Sequence, residues 1–148
     1  MSSKTEAPTL SDKDTADVLK DVSKIKQYLK KLESAGAEPP KDLKAAILKL
    51  EAAAKSGKDV GEAADEANEE LQQHADDMKE DCKKIEKQHE EISKKGKGKE
   101  GTFQGKGAKY SLDPEAKASD VKKSLDEALK WLAPDAICKR WERCAKNA

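Results

Sequence analysis

A chain of 148 residues with 41% charged, 35% apolar and 3% aromatic side chains can build one modest hydrophobic core, not a broad β-sandwich or a large α/β sheet. Lys and Arg total 30 and Asp and Glu total 30, so the formal net charge is zero and no bulk affinity for a polyanion or polycation is implied. The abundance of Ala, Glu, Lys and Leu is that of coiled coils and long solvated helices.

The opening MSSKTEAPTLSDKD has no apolar stretch of the kind Sec export uses, and residues 1–10 read as a mobile lead-in. Its polar character is compatible with a non-Sec export route. Ser11 offers an N-cap, with Asp12 and Asp14 in the first turn where the helix dipole favours acids. Val18, Val22, Ile25, Leu29 and Leu32 then alternate spacings of four and three, which predicts a helix from about Asp12 to Ala35. Gly36 suits a left-handed terminus, and Pro39-Pro40 forbids continuation. Pro40 can begin a second helix to about Lys55, with Leu43, Ala46, Ile47, Leu50 and Ala54 on its buried face. Ser56-Gly57 stops it.

Asp59 and Glu62 have the form of a capping pair opening one long helix, about 59–95. Its stripe runs Val60, Ala64, Ala67, Leu71, Ala75, Met78, Cys82, Ile85, His89 and Ile92, with a stutter at Leu71–Ala75. Such a helix spans about 55 Å. A compact globule of this chain length is only about 40 Å across, so an elongated molecule is expected. Acids crowd residues 59–81 against the single Lys79, whereas Lys94, Lys95, Lys97, Lys99, Lys106 and Lys109 face only Glu100.

The glycines between Gly96 and Gly107 predict an irregular, flexible Gly/Lys-rich loop over about 96–112. Asp113-Pro114-Glu115 reads as the start of a fourth helix, with Ala118, Val121, Leu125, Ala128, Leu129 and Leu132 on its stripe. Pro134 breaks it, and a short fifth helix is anchored by Ile137, Cys138, Trp141 and Cys144. The fold expected is therefore all-α: an elongated antiparallel helical bundle around one long helix, four main helices plus a short C-terminal one, as a single domain over 11–148.

Chemistry is sparse. Glu86 and His89 form an E-x-x-H, but dimetal bundles need a second such motif and further inward carboxylates. His74 and Cys82 share a face without enough further ligands. Cys138 and Cys144, six apart on one helix, point in different directions and cannot pair with each other; either could pair with Cys82 or with a second chain, but buried free thiols in a reducing compartment, the cytoplasm, are the expectation. No nucleophile–base arrangement, P-loop or dinucleotide fingerprint occurs, and no cofactor, metal or catalytic residue is expected.

The candidate partner-binding residues are Lys94, Lys95, Lys97, Lys99, Phe103, Lys106, Lys109 and Tyr110. Lysines beside aromatics can hold phosphates and stack bases, bind anionic headgroups, meet an acidic protein, or fold back on the acidic half of the long helix. Trp131 and Trp141 suit the core, but Trp141 flanked by Arg140 and Arg143 is also a candidate interface anchor. The function expected is non-enzymatic protein–protein interaction, as an adaptor, structural or self-associating module whose partner is another protein or a second copy. Binding of nucleic acid or anionic membrane through 94–110 is the alternative, as is an exported effector with no Sec signal. No run reaches the about 20 apolar residues of a transmembrane segment.

Overall fold

A computed structural model describes residues 12–95, 101–112 and 117–147. Within them lie five helices: α1 (Asp12–Ser34), α2 (Lys41–Ser56), α3 (Val60–Lys95), α4 (Ala118–Leu132) and α5 (Pro134–Asn147). The all-α bundle around one long helix is what the periodicity predicts. Residues 1–10, Lys97, Lys99 and the Asp113-Pro114-Glu115 start signal lie outside the described residues.

Among the described side chains each helix buries the stripe its spacing marks, Val121 of α4 only partly. On α1 these are Val18, Val22, Ile25, Leu29 and Leu32, with Tyr28 beside them. On α2 they are Leu43, Ala46, Ile47, Leu50 and Ala54. Gly36 (φ 86°) and Gly57 (φ 76°) adopt the left-handed conformation at the two helix ends. The Gly57 N–H closes α2 by donating to the Ala53 carbonyl at 2.8 Å. Pro40 is the N-cap of α2 rather than its first residue, a shift of one position.

The 36 residues of α3 extend about 54 Å; α2, α4 and α5 pack along it, and α1 reaches it through Tyr28 against His74. Its first turns are lined by Ala63, Ala64 and Ala67 and face α2, where Lys49 pairs with Glu66 at 2.9 Å across the exposed seam. Small side chains there let two backbones approach closely. Gln72, Ala75 and Asp76 meet α5, and Cys82 lies against Asp126 of α4. Helix α1 completes the bundle, joined to α2 by Lys26–Glu51 and to α5 by Arg140–Asp21.

The fifth helix has 14 residues against 15 in α4, so it is a full member of the bundle. Pro134 does not lie between the helices but starts α5, where a missing N–H is harmless. The break falls on Ala133, which takes a left-handed φ of 53° and donates its N–H to the Leu129 carbonyl.

The largest departure from the sequence reading is a three-stranded antiparallel sheet, in the order β1-β3-β2. Strand β1 is Ala37–Glu38, in the connection between α1 and α2; β2 (Gly101–Gln104) and β3 (Lys109–Leu112) form a hairpin. The register pairs Ala37 with Tyr110 and Phe103 with Tyr110 on either side of the central strand. The described part of the Gly/Lys segment is thus ordered backbone and not the irregular loop expected. Gly36 also serves this sheet: a Cβ there would stand 2.6 Å from the Ser111 carbonyl oxygen, while Ser111 donates its N–H to Gly36.

Candidate functional site

The hairpin turn is fastened to the middle of α3 by side chains that the apolar stripe does not predict. Asp81 is almost wholly buried. Its Oδ1 accepts the Lys106 N–H at 2.9 Å, and its Oδ2 accepts the Gly107 N–H at 2.7 Å and the Tyr110 hydroxyl at 2.9 Å. One carboxylate thereby satisfies two turn amides and a phenol, each a charge-assisted bond stronger than a neutral one. The turn comes this close because it has no side chains there. A Cβ on Gly105 would collide with Asp81 and Tyr110, and one on Gly107 would stand 2.8 Å from the Met78 backbone nitrogen.

Two helical turns earlier on α3, His74 holds the same turn. Its Nδ1 lies 3.0 Å from the Gly107 carbonyl and its Nε2 lies 2.7 Å from the Tyr28 hydroxyl. A carbonyl can only accept, so Nδ1 carries the proton and donates to Gly107, and Nε2 accepts from Tyr28. The imidazole is neutral. Burial presses its pKa down to about 4 against smaller opposing effects from Gly107, Asp77 and Asp81. Burial also raises the pKa of both phenols, Tyr28 and Tyr110. These groups form a latch of α1, α3 and the hairpin, with both ring nitrogens of the histidine already engaged.

The lysine segment therefore meets the acidic part of α3, with Lys106 Nζ at 3.2 Å from Glu80. Tyr110 is fully buried and cannot serve as the exposed stacking residue expected of it. Lys109 is exposed on β3. Lys94 and Lys95 end α3 and Phe103 lies in β2; what their side chains contact lies outside the described residues. Of the eight candidates, the described side chains are those of Lys106 and Lys109, which are exposed, and Tyr110, which is buried.

Trp141, the expected interface anchor, is fully buried between the helices. Its place is core, because it sits between Ile137 and Cys144 on the inner face of α5. Its indole N–H finds no acceptor among the described residues, which costs about 1–3 kcal/mol of the burial gain. The three cysteines are buried and unpaired. Burial, then the neighbouring Asp126, pushes the Cys82 thiol to about 12, and burial pushes Cys138 to about 11. Such thiols carry almost no thiolate at neutral pH. His89 is buried too, and among the described residues no three His, Cys, Asp or Glu side chains are grouped to hold a metal ion.

Trp131 is where the surface breaks the pattern. It lies on α4 one position off the buried Leu125, Ala128, Leu129 and Leu132, and it remains 39% exposed in the seam between α4 and α1. Lys24 Nζ stands 5.1 Å and Lys31 Nζ 4.8 Å from its ring centroid. The ring divides the seam into two open recesses. One, of about 520 Å³, is walled by Lys30, Lys31, Ser34, Ser124 and Glu127. The other, of about 560 Å³, runs along Lys20, Ser23, Lys24 and Gln27 to Arg140. Arg140 is held there bidentately by the buried Asp21, at 2.9 and 2.7 Å. Leu48, on α2, is the other large apolar side chain that is exposed among the described residues.

No family model, curated protein or solved structure matches this chain. The seam around Trp131 offers a partly exposed indole, two lysine ammoniums beside it and a recess on either side. No described helix is long and apolar enough to cross a membrane.

Proposed function

We propose that this protein is a non-enzymatic interaction module that binds another protein through the α1–α4 seam around Trp131. The observation that supports the reading is Trp131 itself. Tryptophan is costly to leave in water and is enriched at interface hot spots, where a desolvated indole supplies much of the affinity. Here two recesses flank it and two lysines are fixed beside it. A non-catalytic role is further supported by His74, whose two nitrogens are both used in holding the fold, and by the protonated thiols. Unpaired cysteines favour a reducing compartment, which in this reading is the cytoplasm.

The test is affinity capture from native cell extract with the wild-type chain, Trp131→Ala and Lys109→Ala side by side. The expected outcome is a bound protein retained by wild type and Lys109→Ala and lost with Trp131→Ala. A bound set that is indifferent to Trp131 and lost with Lys109→Ala would move the interface to the hairpin and defeat the reading.

A further inference from the structure

We infer that the occupant of the α1–α4 seam is an acidic amphipathic helix, with an apolar side chain on Trp131 and carboxylates about two helical turns apart on Lys24 and Lys31. The inference rests on the reading of the seam as a protein-binding face and adds the chemistry of the partner. Lys24 and Lys31 are seven residues apart on α1, and their ammoniums converge on the same indole at 5.1 and 4.8 Å from its centroid, so that they stand at most about 10 Å from each other, within reach of carboxylates up to two helical turns apart. Neither ammonium is within ion-pairing distance of a carboxylate among the described residues, unlike Lys26, Lys44 and Lys49, each of which has a glutamate.

Of the acids bordering the recesses, Asp21 is already committed to Arg140. That leaves Asp17 and Glu127 against Lys20, Lys24, Lys30 and Lys31, so the seam is locally cationic although the chain is neutral. A basic partner would find its complement elsewhere, on the α2–α3 groove bordered by Asp42, Glu66, Glu69 and Glu70. The two recesses lie on opposite sides of one aromatic ring, which is the arrangement a helix fills with residues one and two turns apart on a single face. The cation–π contacts hold the two lysines over the ring before binding, so fewer rotamers remain to be lost when the carboxylates arrive.

The test uses the full chain with isotope-labelled indoles, the two Nε1–H signals being assigned by Trp131→Phe. The probes are a helix-forming peptide with a central leucine between two glutamates about two turns apart, the same peptide with lysines for both glutamates, and a DNA duplex. The glutamate peptide is expected to move the Trp131 signal and not the Trp141 signal, more weakly as salt rises. Lys24→Ala with Lys31→Ala should weaken it about tenfold, as two exposed ion contacts allow. If the lysine peptide moves Trp131 as well as the glutamate peptide does, the acidic partner is overturned while the binding face stands. A Trp131 signal indifferent to both peptides also overturns it, and the Trp131-dependent capture then decides separately whether the face binds protein at all. A shift on raising the protein concentration alone would make the occupant a second copy, and a stronger response to the duplex would make it nucleic acid; either result overturns the inference.

Discussion

Replacing Asp81 by alanine is expected to lower the free energy of unfolding by about 3 kcal/mol, read as a drop in the denaturant midpoint with little change in slope. Two opposed effects set that figure. Asp81 has no countercharge among the described residues, and such a buried carboxylate is costly to desolvate, so its removal returns part of the loss. Its removal also strands the buried Gly107 amide and the partly buried Lys106 amide and leaves the Tyr110 hydroxyl the weaker sulfur acceptor of Met78 at 3.2 Å, and each stranded buried donor costs about 1–3 kcal/mol. The stranded donors win. Asp81→Asn keeps the volume but turns an amide N–H₂ toward one of the same donors, so it should recover only part of the loss. A change below about 0.5 kcal/mol, the range of ordinary surface substitutions, would show that the turn is not held by this carboxylate.

The second large effect is with pH. His74 is neutral and buried, with its folded pKa lowered to about 4 from the ordinary 6.5. Above pH 6.5 the group is neutral in both states, and its contribution to stability is fully present. As the pH falls below 6.5 the unfolded chain takes up a proton that the folded chain refuses, and stability declines by about 1.4 kcal/mol per pH unit until about pH 4. The whole loss is on the order of 3 kcal/mol. Protonation would also give Nε2 a hydrogen facing the Tyr28 hydroxyl, which would have to turn and become the acceptor. His74→Gln should flatten the profile between pH 6.5 and pH 4 while lowering stability at pH 7. Parallel pH profiles for wild type and His74→Gln would place the titrating group elsewhere.

What the sequence revealed and what it hid divide along a physical line. The helices were legible because their cores are local: Val18 to Leu32, Leu43 to Ala54 and Leu125 to Leu132 repeat at spacings that only a helix turns to one side. The terminators Gly36 and Gly57 were legible for the same reason, since a left-handed residue is a property of one position. The sheet was not. Strand β1 is two residues long and meets β3 across more than 70 residues of chain, so its existence depends on tertiary contact and not on any local pattern. The hairpin was hidden by its own glycines, which resemble a flexible linker until Asp81 and Met78 are seen pressing against the places where a Cβ would be. A faint signal existed: Asp81 follows His74 by seven positions and borders the buried stripe, where an uncompensated polar pair calls for a partner.

The two tryptophans show the same division. Trp141 is spaced four from Ile137 and three from Cys144, so the register alone assigns it to the core, and its arginine neighbours carry no information about its own direction. Trp131 stands one residue off the stripe of α4, about 100° around the helix, and was therefore the better candidate for an exposed face. What the register could not supply was Lys24 and Lys31, brought over the ring from a helix about a hundred residues earlier in the chain.

The position of the binding face turns on which indole is outside. Acrylamide quenching of the Trp131→Phe protein tests this directly, because Trp141 is then the sole emitter of its kind. A blue-shifted emission that acrylamide barely quenches is expected, with the wild-type protein showing in addition a red-shifted, readily quenched component that the substitution removes. A remaining emission that is red-shifted and strongly quenched would contradict this, placing Trp141 at the surface.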